Sequence, residues 1–207
     1  MRLDDIIARG VATEKADWFR RVLKGVVKPD WSKGPWVAGG CVRRLISNTE
    51  PFASDIDVFF SSEEQKNEWV ERINSSEKYK CKSQKSNDHN TTLEADFVTD
   101  DAMHTIKLQA IHIQYYQSPQ EVIDSFDYTI CQFVTDGEEF LAGDYSLYDL
   151  SKNRLVVHRI TYGVASLRRM MKYGNQDFKV CSGAMASLLQ AVADNPELIH
   201  QEIEYID

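Results

Sequence analysis

At 207 residues, with 43% hydrophobic and 27% charged side chains, the chain has an ordinary globular composition and enough length to bury a core. Its net charge of -8 argues against wrapping a long stretch of nucleic acid, which needs a cationic surface, but leaves room for a phosphate-bearing ligand in one local basic cleft. No apolar run approaches the roughly 18 residues of a membrane span. The opening MRLDDIIARG has acids where a signal peptide is apolar, so a cytoplasmic protein that does not enter the membrane is expected. Cys41, Cys81, Cys131 and Cys181 are scattered and form no Cys-x-x-Cys pair, which points to small buried hydrophobes in a reducing compartment.

In chain order, Ile6, Ile7, Val11, Trp18, Phe19, Val22 and Leu23 fall at helical spacing, predicting one or two helices over 3–25. KPDWSKGP is a loop, and WVAGG is a short strand end running into a turn. VRRLIS begins a helix that NTEPFAS breaks, and DIDVFF reads as a buried strand with an exposed Asp-bearing end. Residues 61–76 open on a Ser followed by Glu, a helix-capping signal. YKCKSQKS, TTLEADFV and HTIKLQAIHIQYY form a predicted three-stranded meander, with NDHN as the first turn. SPQEVIDSF is a helix with Pro in its first turn, and YTICQFV is a strand ended by Asp136-Gly137. GEEFLAGDYSLYDLSKNRLVVHR reads as a hairpin region, after which YGVASLRRMMKYG, SGAMASLLQAVADN and PELIHQEIEYI are helical. This order predicts an α+β domain over 1–160 with a short C-terminal helical extension over 161–207.

The chemistry concentrates in GGCVRRLISNTEPFASDIDVFF, residues 39–60. Alternation along a strand puts Asp55 and Asp57 on one face, with Ile56 and Val58 turned to the core. Two close carboxylates repel, and a divalent cation resolves the repulsion; Mg²⁺ usually takes one or two carboxylates plus substrate phosphates. Gly39 and Gly40 let backbone amides approach a phosphate, the helix beginning near Cys41 presents a positive end, and Arg43 and Arg44 add charge. These are the parts needed to bind a nucleoside triphosphate. The five histidines have no ligand spacing and read as surface or core residues. Trp18, Phe19, Phe59 and Phe60 read as core, EADFVTDD (94–101) as a solvated turn or the source of a further ligand, and HQEIEYID as a surface helix or fraying end.

This stretch resembles the nucleotidyltransferase superfamily with a DNA polymerase β-like head, and within it the class II CCA-adding enzymes and bacterial poly(A) polymerases. Their first signature looks like Gly39-Gly40-Cys41-Val42-Arg43-Arg44 followed by Asp55-Ile56-Asp57. A second is similar to Ser125-Phe126-Asp127-Tyr128-Thr129-Ile130-Cys131-Gln132, a third to Asp149-Leu150 with His158-Arg159, and a fourth, a basic helix, to GVASLRRMMKYGNQDF. The chain departs from the pattern in several places. Arg44 stands where the family has Asp, Ser125 and Phe126 replace two arginines, Cys131 replaces Asn, and the fourth signature lacks its acid.

The resemblance implies a mixed sheet flanked by helices, with a neck-like extension at 161–207. It implies Mg²⁺ or Mn²⁺ as cofactor, held by Asp55 and Asp57. It makes a nucleoside triphosphate the donor, with Gly39, Gly40, Arg43 and Arg44 on its phosphates. Asp127 either joins Asp55 and Asp57 as a catalytic residue or is a helix-end Asp without that role. Arg168, Arg169 and Lys172 reach the nucleotide phosphates or an acceptor, or form a solvated basic face; Arg168 and Lys172 share one face. The implied reaction moves a nucleoside monophosphate to an acceptor hydroxyl on RNA, a small molecule or a protein, releasing pyrophosphate. The alternative is an inactive nucleotide-binding or protein-interaction module on the same fold.

Overall fold

The computed structural model describes residues 1–7, 13–49, 54–98 and 103–199. The expectations for Val11, for 99–101 of the acid-rich stretch and for the C-terminal HQEIEYID lie outside them. The described residues form two compact units. The first is Met1–Val122 with Phe133–Leu141; the second is 123–132 with the residues from Ala142 onward.

The first unit opens with helices α1 (Leu3–Ile7) and α2 (Thr13–Val26). Phe19, Val22, Leu23 and Val26 make the buried stripe of α2, at the spacing the sequence gives. Strand β1 (Trp36–Ala38) leads through Gly39 into α3 (Gly40–Ile46); β2 (Ile56–Phe59) and α4 (Glu63–Asn74) follow. Ser62 caps α4, its side chain accepting from the Gln65 amide. The late carbonyls of α2 are met by side chains from elsewhere in the unit. Trp69 Nε1 donates to Val26 O at 2.6 Å, Arg72 Nη2 to Val26 O at 2.7 Å and Tyr79 Oη to Val22 O at 2.6 Å.

Strands β3 (Tyr79–Ser86), β4 (Asn90–Val98) and β5 (Met103–Ile111) form the expected meander. With β6 (Phe133–Thr135) and β7 (Phe140–Ala142) they complete a seven-stranded sheet of order β3-β4-β5-β2-β1-β6-β7. The pairing is mixed: β2 runs parallel to β5 and antiparallel to β1. Ile56, Val58, Leu93, Ala95, Leu108 and Ala110 bury one face. The other face is polar. One row crosses five strands as Ala38, Asp57, Gln109, Thr92 and Lys85.

Helix α5 (Pro119–Asp124) carries the division between the units. In the second unit the expected strand YTICQFV begins instead as a 3-10 turn, Thr129–Cys131. The Gln132 side chain is turned inward there, Nε2 donating to Ile123 O at 3.0 Å. The expected hairpin region is also different: helix α6 (Ser146–Ser151) separates β7 from β8 (Arg154–Leu155), and β8 pairs in parallel with β9 (Lys179–Val180). Helices α7 (Gly163–Gly174) and α8 (Ser182–Asp194) are those expected; of PELIHQEIEYI the described part is a 3-10 turn, Pro196–Ile199. Tyr128, Ile130, Leu155, Met170, Tyr173 and Leu188 form this unit's core. Among the described residues no helix is long and apolar enough to cross a membrane.

Candidate functional site

The site of the first unit is built on the loop between β1 and α3. Gly39 has φ 80°, a conformation that suits glycine, and its amide donates to Phe133 O at 3.0 Å on the neighbouring strand. Gly40 opens the helix against Ser54: a Cβ there would sit 3.2 Å from Ser54 Oγ. Ser54 in turn accepts from Arg44 Nε at 2.8 Å, which fixes that guanidinium beside the residue preceding Asp55. Arg43, on the same helix, is almost wholly buried.

Asp57 lies opposite Ala38, one residue before Gly39, so strand pairing delivers its carboxylate to the glycine turn. Asp55 and Asp57 are half-buried, while Ile56 and Val58 between and beyond them are fully buried. The Cys41 thiol reports the same placement: burial pushes its pKa up, and the Asp57 and then the Asp55 carboxylates push it further. It is a buried thiol, inert as a nucleophile.

Gln109 is the residue that sequence reading missed. It pairs with Asp57 across β2 and β5, is buried, and donates from Nε2 to Asp55 Oδ2 at 2.7 Å. One amide thereby sets the orientation of one carboxylate, leaving the other on the same polar face. Both are hard oxygen donors, the type that Mg²⁺ or Mn²⁺ takes together with phosphate oxygens. Among the described residues no group of three or more His, Cys, Asp or Glu side chains is poised to hold a metal ion. A cation here would take its protein ligands from this pair. His104 lies against the Trp18 ring, and His112 contacts Thr91 Oγ1 at 3.3 Å.

The other expected site residues stand in the second unit. Asp127 is buried and accepts from Arg169 Nε at 2.7 Å. Burial works against the Arg169 charge, but the Asp127 carboxylate outweighs it and the guanidinium pKa is raised. Asp127 O also accepts from the His158 amide at 2.7 Å. Arg168 and Lys172 are exposed on one side of α7, while Arg169 is turned to its carboxylate. The structure thus brings Gly39, Gly40, Arg43, Arg44, Asp55 and Asp57 together in the first unit, and pairs Asp127 with Arg169 in the second.

The mixed sheet, its helices and the glycine turn beside the carboxylate pair define an α+β nucleotidyltransferase-like fold. A crystal structure of a tRNA nucleotidyltransferase complexed with a primer tRNA and an incoming ATP analog is similar over 76% of this chain and 46% of that one, at TM-score 0.54 and 18% identity. A structure of tRNA-processing enzyme complex 3 is similar over 76% of this chain and 43% of that one, at TM-score 0.51 and 18% identity. At such identity the likeness is one of fold. The family model for Gabija anti-defense 2 family proteins matches residues 13–153, and the chain belongs to that family. Gabija anti-defense 2 of Bacillus phage SPbetaL7 is 26% identical over 147 residues, 70% of this chain. The chain spans 34% of that relative's length.

Proposed function

We propose that this chain is a metal-dependent nucleotidyltransferase that moves a nucleoside monophosphate from a nucleoside triphosphate to an acceptor hydroxyl. The observation that carries this reading is the Asp55 and Asp57 pair set beside the Gly39-Gly40 turn, with Gln109 orienting Asp55. Asp55 and Asp57 would hold Mg²⁺ or Mn²⁺, which supplies positive charge against the triphosphate and the developing charge of the leaving group. The Gly39 and Gly40 backbone lets the phosphates approach closely, and Arg43 and Arg44 add charge on that side. The acceptor hydroxyl oxygen bonds to the α-phosphorus, its proton passing to water, as the bond to the bridging oxygen breaks and pyrophosphate leaves. The protein contributes position and electrostatics, with no protein nucleophile. The family's description as anti-defense supports a setting in which this activity acts against Gabija defence.

A second reading, a nucleotide-binding or protein-interaction module without transfer, is favoured by two observations. Arg44 stands where the resembling family carries Asp, and Asp127 is engaged by Arg169. Pyrophosphate release with each of the four nucleoside triphosphates in Mg²⁺ separates the two. The first reading expects release with at least one acceptor fraction and none from the Asp55→Asn, Asp57→Asn double variant. Tight nucleotide binding without release supports the second.

A further inference from the structure

Helix α8 of the second unit has the composition of a helix covered on more than one side. Helices α2 and α4 each carry six charged residues, whereas α8 carries one, Asp194, at its last position. That carboxylate accepts from Gln190 Nε2 at 2.7 Å, one turn earlier. One face of α8 serves the core of its own unit, where Ala184 and Leu188 are buried with Met170 and Tyr173 of α7. The adjoining face is turned to solvent. Met185 is 41% exposed and Leu189 63%, with Val192 half-buried beyond them. Ser182, Ala186 and Ala193 are exposed alongside. Ser182, Met185, Leu189 and Val192 follow at intervals of three, four and three residues, the spacing of a helix that packs along a second helix. The small residues beside them suit a short distance between the two axes. A surface helix ordinarily puts charged side chains away from its core, and one that is apolar on both sides is a buried helix.

Whatever covers this face must be uncharged, because a charged partner would lose its hydration and gain no ion pair. Each copy of the chain carries a net charge of -8, so two copies repel unless they meet through a surface without charge. At a two-fold axis a surface meets itself, and a charged residue there would stand near its own like charge. The α8 stripe from Ser182 to Ala193 holds no charged residue and so meets its own copy without that cost. We propose that α8 is a homodimer interface, its exposed face packed antiparallel against the same face of a second copy. Met185 then lies over the partner subunit's Leu189 and Leu189 over the partner subunit's Met185, with Ser182 and Val192 closing the ends in the same reciprocal way. At 1.5 Å per residue the helix is about 20 Å long. Such a pair buries less than the roughly 1,200 Å² of a standard stable interface, so the dimer is reversible, dissociating at about 10–100 µM. The interface uses none of the residues assigned to nucleotidyl transfer and stands apart from that reading.

The test is sedimentation equilibrium of the full chain from about 5 to 300 µM, a range that brackets the expected constant. The average mass is expected to rise with concentration from monomer toward dimer. Leu189→Glu should remain monomeric throughout, with the circular dichroism of the native protein showing that it folds. Adding Met185→Lys to Leu189→Glu sets opposite charges against each other across the axis and should recover association. Met185→Glu with Leu189→Glu should not. Met103→Glu, at a site 63% exposed in the first unit, adds the same charge off the interface and should associate as the native chain does. Raising the salt from about 0.05 to 0.5 M should tighten the native dimer several-fold, because it screens the repulsion between two acidic copies and breaks no ion pair. A native chain that stays monomeric at the highest concentration overturns the proposal. So does an equal loss of association in Met103→Glu, or a dimer that salt weakens.

Discussion

Replacing Gln109 with leucine removes the hydrogen bond that orients Asp55. The side chain is 4% exposed, and its Nε2 donates to Asp55 Oδ2 at 2.7 Å. A hydrogen bond to a charged acceptor contributes about 1.5–3 kcal/mol, and the apolar leucine in the same buried place recovers part of that. We therefore expect Gln109→Leu to lower the unfolding free energy by about 1–2 kcal/mol. The functional effect is larger, because losing a partner that orients a metal ligand costs about 10–100-fold in affinity. Urea denaturation followed by circular dichroism measures the first quantity, and calorimetry with Mg·ATP measures the second. Gln109→Glu adds a third carboxylate beside Asp55, so it should destabilise the metal-free protein and gain more stability from added Mg²⁺ than the native chain does. A Gln109→Leu protein that binds Mg·ATP as tightly as the native one would refute the claim that this amide sets the site.

Further expectations concern the rest of the fold and site. Asp127→Ala leaves Arg169, a 26% exposed side chain, without its carboxylate; we expect a loss of about 2–4 kcal/mol by urea denaturation, with the Asp127→Leu, Arg169→Met double variant losing less than the sum of its parts. Gly39→Ala forces a side chain onto φ 80° with ψ -132°, a region held almost only by glycine, costing about 1–3 kcal/mol, and it should weaken nucleotide binding more than a Gly174→Ala control. The Asp96 carboxyl is held below its ordinary range by the hydrogen bond from Lys82 and then by that from Thr105. Its folded value lies under its unfolded one, so its stabilisation is complete above about pH 4 and is lost as the pH falls through the lower, folded value. Lys82→Met should flatten that acid limb in a pH series of urea midpoints, and an unchanged limb would contradict the assignment.

The parts of the site that were legible in the sequence are those governed by local rules. Alternation in DIDVFF fixes which side of the strand Asp55 and Asp57 occupy, and the buried Ile56 and Val58 follow from it. Ser62 announces the start of α4 with a capping side chain, and Gly39 marks a turn that adopts positive φ. What was not legible depends on pairing over long distances. Gln109 and Asp55 are separated by 54 residues, and only the parallel pairing of β2 with β5 joins them. The partner of Asp127 is likewise distant in sequence: Arg169, 42 residues later, donates to its carboxylate. Helix α6 was hidden because its six residues carry no side-chain cap and follow an alternating stretch. Its position is set by tertiary contacts, Thr129 Oγ1 donating to Asp149 Oδ2 at 2.8 Å among them. The strand read into YTICQFV gives way to a 3-10 turn at Thr129–Cys131, and the Gln132 side chain that follows is committed to a carbonyl of α5.

The central claim is that the Asp55 and Asp57 pair supports nucleotidyl transfer. The most direct measurement incubates the protein with α-³²P nucleoside triphosphates, each in turn, with Mg²⁺ and total cellular RNA and protein. The account predicts label on an acceptor from at least one nucleotide, and none from the Asp55→Ala, Asp57→Ala double variant. No label from any nucleotide, or label that persists in the double variant, would contradict it.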